Sequence, residues 1–429
     1  MSEFEKVVGY EGIKLELQRI CDVLKNTEKY RKLGVHVPKG VMITGDPGLG
    51  KTLMANCFIN ESGCKAYTVR KDKPNGDFVK CIKDTYEEAK KETMSIVFLD
   101  DIDKFANEDS EHRDAEEYVT VQACIDECTG NNVFTLATAN DPRRLPDSLT
   151  RAGRFDKVIE IERPKGETAR KIIKHFLKDK KVIGDIEVEE IARYFEADSC
   201  AEIEMMINEA GIYAGFENRD QIERKDILQA LLRDRFGAPL SDPSEEVIDP
   251  REIAVHEAGH AVVYEILEPG AVSVVSIQHK GGSTKGITIS GNMDSKSVQY
   301  DEHRIARALG GKAAVEIVYG KADYGCSSDI RSAYRYADFL LDDICAYGFD
   351  TFVRRNEASQ DLFSNKDKKI QTTIEKQYNL AKKIIIENRP FFDAIVEELL
   401  KKETITYKDI ARIRKKVEKV VPKKQREIA

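Results

Sequence analysis

The chain has 429 residues, of which 76 are acidic and 68 basic, so its formal charge at pH 7 is −8. This length predicts two or three domains rather than a single hydrophobic core. Charges of both signs are mixed along the chain, which gives no reason to expect nucleic acid as the main partner. No apolar run approaches the roughly 20 residues of a membrane helix, and the start MSEFEKVV does not resemble a signal peptide. We therefore expect neither a membrane segment nor export.

The cysteines indicate the compartment. Nine of them are scattered along the chain without a CxxC pair. An odd, unpaired set predicts free thiols, which are typical of the reducing cytosol. We expect a cytoplasmic protein.

Short β-branched runs separated by helical stretches occupy the first part of the chain. Nearly continuous apolar runs of this length indicate a parallel sheet that is covered on both faces. The predicted strands are residues 41–44, 66–69, 96–99, 133–137 and 158–161. Because Pro164 marks a boundary, we predict an α/β domain at residues 1–163.

The pattern then becomes helical. Ile172 and Ile173 lie on one predicted helix face, and Ile203, Met206 and Ile207 lie on another. These helices predict a small domain at residues 164–236. The following GAPLSDPSEEVIDP contains three prolines and few large apolar residues, which predicts a linker at residues 237–249.

A second, mainly helical domain is predicted at residues 250–429. Asp249 and Pro250 are suited to the N-cap and first position of a helix that runs to about Leu267. Residues 272–277 and 286–290 predict a small hairpin or edge strands, and the chain becomes helical again from about Asp301. We expect the basic residues 415–426 to form a solvated tail.

A phosphate-binding motif, GDPGLGKT, lies between the first predicted strand and a helix that begins near Lys51. In this motif, backbone N–H groups face the phosphates at a helix N-terminus, the lysine reaches the β and γ phosphates, and the hydroxyl binds Mg²⁺. ATP and Mg²⁺ are the expected ligands. The predicted nucleotide-binding residues are Gly45, Asp46, Pro47, Gly48, Leu49, Gly50, Lys51 and Thr52.

Further polar residues follow two of the predicted strands. The run IVFLDD carries Asp100 to the end of a strand, where it can hold the metal directly or through water, and Asp101 would orient the attacking water. Asn140 follows the next strand, where it can contact the γ-phosphate or the water. Arg151 and Arg154 could reach the nucleotide of a neighbouring subunit as arginine fingers.

The sequence HEAGH places His256, Glu257 and His260 on the helix predicted after Pro250. Since residues four apart share a helix face, the two imidazoles can bind one Zn²⁺ while Glu257 acts as the general base. A catalytic zinc needs a third protein ligand. The sequence pattern leaves four residues open for that role: His303, Glu316, Asp323 and Asp329.

These motifs, together with the segments SLTRAGRFD, GGKAAVEIVYG and SSDIRSAYRYA, resemble the FtsH family of AAA+ zinc proteases over nearly the whole chain. The resemblance implies an α/β P-loop AAA+ domain with a small helical lid, followed by a mainly α-helical zinc peptidase domain. It also implies Asp329 as the third zinc ligand, Asn140 as the first sensor, and Arg151 and Arg154 as the inter-subunit fingers.

The predicted function is that of an ATP-dependent zinc metalloendopeptidase that degrades unfolded or marked soluble proteins. Zn²⁺, ATP and Mg²⁺ are the expected cofactors, and polypeptides are the expected substrates. We expect a homohexamer, because an arginine finger requires an adjacent subunit.

The chain departs from the family pattern at four places. Asp101 replaces the usual glutamate and is one methylene shorter, so we expect slower hydrolysis. The pore loop of the family carries an aromatic, an aliphatic and a glycine, whereas residues 74–76 read PNG here unless a gap makes Phe78 and Val79 the equivalents. The phosphate loop reads DPGLG where the family favours PPGTG. We expect no counterpart of the membrane segment that usually precedes the ATPase in this family, either because the protein naturally lacks one or because this sequence is a shortened form.

Two alternative functions follow from these departures. One is a nucleotide-dependent binding or remodelling protein, or a scaffold, in which the peptidase or motor half has lost activity. The other is a zinc peptidase that uses ATP mainly as an assembly switch. Asp101 and the altered pore segment favour the alternatives, whereas HEAGH and Asp329 favour an active peptidase.

Overall fold

The structure is a computed structural model. It shows the chain as two compact units, Met1–Ile227 and Leu228–Ala429. None of the nine cysteines forms a disulfide. Of the helices in the described ranges, none combines the length and the apolar content that a bilayer crossing requires. The structure describes residues 2–35, 37–72, 75–106, 115–128, 132–151, 153–182, 186–195, 198–237, 249–278, 286–291, 297–321, 324–349 and 360–420.

A five-stranded parallel sheet forms the centre of the first unit. Its strands are β1 (Gly40–Thr44), β2 (Lys65–Val69), β3 (Ser95–Leu99), β4 (Val133–Ala139) and β5 (Lys157–Glu160). The spatial order is β2-β3-β4-β1-β5, and every pair is parallel. All five strands predicted from the apolar runs are confirmed, with bounds that differ by one or two residues.

Helices cover both faces of this sheet, because successive side chains of a strand point to opposite sides. The helices of this part are α1 (Glu11–Lys25), α2 (Thr27–Arg31), α3 (Lys51–Ser62), α4 (Asn75–Ala89) and α5 (Ala115–Glu127). Val41 and Ile43 belong to a core shared with α1 and α3. Met42 and Val97 belong to a second core, shared with α4 and α5. The carboxyl ends of β1, β3 and β4 are thereby held at one rigid edge.

The stretch after the sheet is helical, as predicted, and its described part contains α6 (Gly166–Leu177), α7 (Val188–Tyr194), α8 (Cys200–Phe216) and α9 (Arg224–Phe236). A capping box fixes the start of α8, because Ser199 and Glu202 each bond the other's backbone N–H. The boundary between the two units falls within α9. The predicted linker lies largely outside the described residues, which omit 238–248.

Besides the end of α9, the second unit contains seven α-helices and a small antiparallel sheet in its described part. The helices are α10 (Pro250–Leu267), α11 (Val298–Ala308), α12 (Gly310–Tyr319), α13 (Ser327–Asp342), α14 (Gln360–Glu387), α15 (Arg389–Lys402) and α16 (Tyr407–Val420). The strands are β6 (Val272–Ser276), β7 (Ile287–Ser290) and β8 (Thr404–Thr406), in the order β7-β6-β8.

Two sequence-based expectations for this unit need correction. The sequence did not predict β8, because three residues between two helices are too few to show a strand pattern. The tail predicted at residues 415–426 is wrong for residues 415–420, which continue α16. The remainder of that tail lies outside the described residues.

Helix α10 is the central element of the second unit. Asp249 caps it by accepting the N–H of Arg251, and Pro250 is its first residue, as predicted. Most of its side chains are buried, and they pack on β6, α12, α14 and α15. A helix that is surrounded on nearly all sides is held rigidly. The HEAGH residues lie on this helix.

Candidate functional sites

The phosphate-binding motif forms the connection between β1 and α3, as its spacing predicted. The Nζ of Lys51 donates to the carbonyl oxygens of Gly45 and Asp46, each at 2.7 Å. Burial lowers the pKa of Lys51, while nearby carboxylates act in the opposite direction. The loop packs against the start of α8, where the N–H of Ala201 donates to the Gly48 carbonyl at 3.0 Å. These contacts hold the loop and the Lys51 ammonium at a helix N-terminus, an arrangement that is suited to binding phosphates.

Asp100 lies at the end of β3, directly beside this loop. Its Oδ1 accepts hydrogen bonds from Thr52 at 3.2 Å and from Thr138 at 2.8 Å. Its Oδ2 accepts a bond from Arg70 at 2.8 Å. A buried carboxylate next to a threonine hydroxyl provides the oxygen ligands that Mg²⁺ prefers. Sequence reasoning missed Thr138, which lies on β4 two positions before Asn140.

Asp101 and Asn140 meet at the same edge of the sheet. The Asn140 amide donates to Asp101 Oδ1 at 3.4 Å, and Lys104 lies 2.6 Å from the other carboxylate oxygen. Asp101 adopts a left-handed backbone with φ of +54°, which aspartate tolerates better than most residues. A cleft of about 450 Å³ adjoins these residues and is lined by Asp46, Pro47 and Asn140, among others.

The two candidate arginine fingers have different surroundings. Arg154 donates two bonds to Asp126, at 3.0 and 2.7 Å, and one to the Ser148 carbonyl. Arg151 is exposed and makes no ion pair with any residue that the structure describes. Arg154 would therefore have to leave Asp126 before it could reach another subunit.

The pore segment is only partly described. Residue 74 lies outside the described residues, and the side chains of residues 75 and 76 do as well. Phe78 is fully buried on α4, and its ring makes an edge contact with Phe105 at 5.1 Å. Because Phe78 belongs to the core, it is not a surface aromatic that could grip a polypeptide.

His256, His260 and Asp329 come together in the second unit. The two Nε2 atoms are 3.1 Å apart, and Asp329 Oδ2 lies 3.2 Å from the first and 3.4 Å from the second. Asp329 is in the first turn of α13, so tertiary packing of α13 brings it to α10. Burial by itself raises the pKa of Asp329, but the two imidazoles outweigh it and leave the pKa below its usual range.

The donor atoms fit a zinc ion. A tetrahedral Zn²⁺ with ligands at about 2.0–2.2 Å places those ligands roughly 3.3–3.5 Å from each other. His260 Nδ1 lies 2.8 Å from the Arg307 carbonyl, which can only accept, so Nδ1 carries the proton and Nε2 is left with its lone pair in the neutral ring. Asp329 Oδ2 is buried without a hydrogen bond among the described residues. Electron-rich atoms this close together are stabilised by a cation.

Glu257 lies next to this cluster beneath β7. Its Oε2 accepts a bond from Thr288 at 2.8 Å, and a Cβ added at Gly286 would stand 2.8 Å from its Cγ. Burial raises the pKa of Glu257, while the histidines and Thr288 act against the shift. A raised pKa suits a group that accepts and returns a proton near neutral pH. Sequence reasoning missed Thr288, which no motif marked.

Glycines allow α10 and α12 to cross closely at the cluster. A Cβ added at Gly259 would stand 2.4 Å from the Gly310 carbonyl oxygen. A Cβ at Gly311 would stand 2.5 Å from two ring atoms of His256 and 2.6 Å from His260 Nε2. Of the two glycines in GGKAAVEIVYG, Gly310 therefore leaves room for the backbone of α10 and Gly311 for the imidazoles, roles that spacing alone did not reveal.

Of the other candidates for a third zinc ligand, His303 and Glu316 are not part of the cluster, and Asp323 is not described. Glu316 bonds Lys382 and Tyr378, contacts that lower its pKa to about 2. His303 lies near Arg307, and burial lowers its pKa. Asp323 lies outside the described residues. Among the described residues, the one group of three or more His, Cys, Asp or Glu side chains arranged to hold a metal is His256, His260 and Asp329.

Comparison with known proteins agrees with both sites. Residues 41–163 match the ATPase family associated with various cellular activities (AAA), and residues 246–413 match peptidase family M41. The chain is 31% identical to the ATP-dependent zinc metalloprotease FtsH 2 of Thermoanaerobacter sp., over 95% of this chain and 82% of that protein. It is also 31% identical to the ATP-dependent zinc metalloprotease FtsH of Thermotoga maritima, over 97% of this chain and 74% of that protein.

The fold and the two sites define a P-loop ATPase joined to a zinc peptidase. The identity and the extent of these matches make the assignment specific. The chain belongs to the FtsH family of ATP-dependent zinc metalloproteases. Its cofactors are accordingly Zn²⁺ and ATP with Mg²⁺.

Proposed function

We propose that this protein is an ATP-dependent zinc endopeptidase that cleaves unfolded polypeptides and works as a homohexamer in the cytoplasm. The observation that carries the proposal is the mutual approach of His256, His260 and Asp329 within 3.4 Å. For the chain as a whole we propose an ATPase domain at residues 1–163, a helical lid at 164–236, a linker at 237–249 and a peptidase domain at 250–429.

The peptidase chemistry is assigned to residues of the second unit. His256, His260 and Asp329 would hold the zinc ion, which supplies Lewis acidity for attack on a peptide carbonyl. Glu257 would take the proton of the attacking water and return it to the leaving amine. Thr288 holds the carboxylate in place for this exchange, and burial keeps bulk water away from it.

The ATPase chemistry is assigned to residues of the first unit. Lys51 would contact the phosphates, Thr52 and Asp100 would bind Mg²⁺, and Asp101 with Asn140 would orient water. Arg151 and Arg154 would complete the site of a neighbouring subunit.

A mixing experiment tests the arrangement in a hexamer. Lys51→Ala and Arg151→Ala should each hydrolyse ATP poorly. Mixed subunits should recover activity, because the intact loop of one variant meets the intact arginine of the other. Two variants that stay inactive after mixing, although they co-assemble, would contradict fingers acting between subunits.

The overall function is tested by degradation of an unstructured protein with ATP, without ATP, and with Glu257→Gln. Loss of cleavage in the Gln variant, with zinc content unchanged, establishes the peptidase. Cleavage that persists in this variant would overturn the assignment.

A second candidate is a zinc peptidase in which ATP binding acts mainly as an assembly switch. The burial of Phe78 and the short Asp101 side chain favour it, since both weaken a translocating motor. A non-hydrolysable ATP analogue distinguishes the two candidates. It should support cleavage of an unfolded substrate under the switch and fail to do so under the motor.

A further inference from the structure

Arg307 is a buried charge close to the metal-binding cluster. It is the penultimate residue of α11, and only 3% of its surface is exposed. Its Nη1 lies 2.5 Å from Glu268 Oε2, and the guanidinium carbon lies 5.0 Å from the ring centre of Tyr264 and 4.8 Å from that of Tyr300. A buried charge is retained only when it is paired, and here two aromatic rings enclose the pair.

The backbone of the same residue contacts His260. The Arg307 carbonyl accepts the Nδ1–H of His260 at 2.8 Å. Because α11 ends at Ala308, this carbonyl lies in the last turn, where the regular hydrogen bonds of the helix stop, and the N–H of the C-cap residue Leu309 also approaches it. A carbonyl oxygen has two lone pairs, so it can accept a bond from a neighbouring imidazole as well.

Glu268 connects this contact to the other helix. It is the C-cap of α10, the helix that carries His260. The Arg307–Glu268 pair therefore joins the end of α10 to the end of α11. The hydrogen bond from His260 to the Arg307 carbonyl joins the same two helices. The distance between the His260 ring and that carbonyl therefore depends on the Arg307–Glu268 ion pair.

We propose that Arg307 and Glu268 form a clamp that positions His260 for zinc. The clamp keeps Nδ1 protonated against the Arg307 carbonyl, which directs the lone pair of Nε2 toward His256 and Asp329. Bonds of this kind, made by the second nitrogen of a ligating histidine, set its tautomer and orientation. The proposal rests on the proposed function, because it assigns these two side chains a role in holding the metal of that site.

The test measures the affinity for Zn²⁺ by competition with a chromophoric chelator, in the full chain. Arg307→Met should weaken zinc binding about 10- to 100-fold, the range found when such supporting contacts are removed. Glu268→Gln keeps the shape of the side chain and should weaken binding in the same direction. Arg307→Lys keeps the positive charge, so this variant should bind zinc more tightly than Arg307→Met and less tightly than the wild type.

Lys366→Met is the matched control. Lys366 lies in the same unit and bonds Asp338 and Asp342, at 2.6 and 2.5 Å, with its side chain 13% exposed. It should lower the melting temperature and leave zinc affinity unchanged, which separates positioning from stability. If Arg307→Met does not fold, the zinc affinity of Glu268→Gln tests the clamp in its place.

The possible results separate the clamp from the proposed function. A wild-type chain that binds no zinc removes the proposed function and the clamp with it. A wild-type chain that binds zinc, with folded Arg307→Met or Glu268→Gln of equal affinity, overturns the clamp alone.

Discussion

At Gly311, a single hydrogen atom in place of a methyl group makes room for the imidazoles. Its backbone is not among the glycines with positive φ, so an alanine there meets only the steric problem of the added Cβ. That Cβ would stand 2.5 Å from the Nε2 of His256. The position therefore reports on the metal site rather than on backbone strain.

Gly311→Ala is expected to weaken zinc binding by about tenfold or more, because it displaces a histidine ring. Zinc affinity measured by chelator competition checks this. Gly215→Ala is the control, since nothing lies within 4 Å of its added Cβ. Equal zinc affinity in Gly311→Ala and the wild type would show that the rings move aside freely.

Thr288→Val is expected to lower the rate of peptide cleavage by about tenfold to a hundredfold. The change keeps the shape of the side chain but removes a hydrogen bond to a carboxylate, which contributes about 1.5–3 kcal/mol. Thr288→Ser should stay close to the wild type, and zinc content should not change in either variant. A Val variant that is fully active would mean that Glu257 needs no support from β7.

Phe78 illustrates a residue whose role the sequence left open. The motif comparison allowed it to be a surface aromatic of the pore, whereas the structure buries its ring in the core beside Phe105. Phe78→Ala should lower the free energy of unfolding by about 3–5 kcal/mol, measured by denaturant titration of the first unit's transition. If Phe78 were instead the pore aromatic, Phe78→Ala would abolish substrate degradation without changing the free energy of unfolding. That result would restore the alternative that Phe78 belongs to the pore loop.

At the scale of elements, the approach of α10 to α12 holds the second unit together. The approach requires glycine at 259 and 310, because each backbone occupies the space of the other's Cβ. Because α10 and α12 pack this closely, Gly311, the residue after Gly310, lies against His256 and His260. The crossing thus couples stability of the fold to the shape of the site.

Gly259→Ala is expected to destabilise the second unit by about 1–3 kcal/mol through overpacking. Thermal unfolding followed with zinc release should show an earlier transition, while nucleotide binding by the first unit stays normal. Gly211→Ala provides the comparison, because its added Cβ would make an ordinary contact of 3.6 Å with Ile222. An unshifted transition in Gly259→Ala would contradict the close crossing.

At the scale of the whole molecule, the two chemistries occupy separate compact units. A zinc chelator should therefore abolish peptide cleavage and leave ATP hydrolysis within about twofold of its starting value. Both activities are measured on the same sample before and after zinc is restored. Loss of ATP hydrolysis in proportion to zinc removal would show that the metal also supports the ATPase.

Local sequence patterns were sufficient to predict several features of both units. The five parallel strands and the phosphate loop were predictable, because buried strands, glycine-rich loops and their lysine are adjacent in sequence. The same holds for His256, Glu257 and His260, which one helical turn brings together. Short range is the common property of these features: their geometry follows from backbone periodicity alone.

Long-range features required the folded chain. Spacing left four candidates for the third zinc ligand, and the packing of α13 brings one of them, Asp329, next to His256 and His260. The packing of α11, β7 and α12 near α10 brings Arg307, Thr288 and Gly311 to the site, and spacing alone gave none of them a role. Residue types and the periodicity of helices and strands thus defined the chemistry of this protein. Which atoms meet at the site was decided only by the tertiary structure, because the distances between residues far apart in sequence depend on how helices and strands pack.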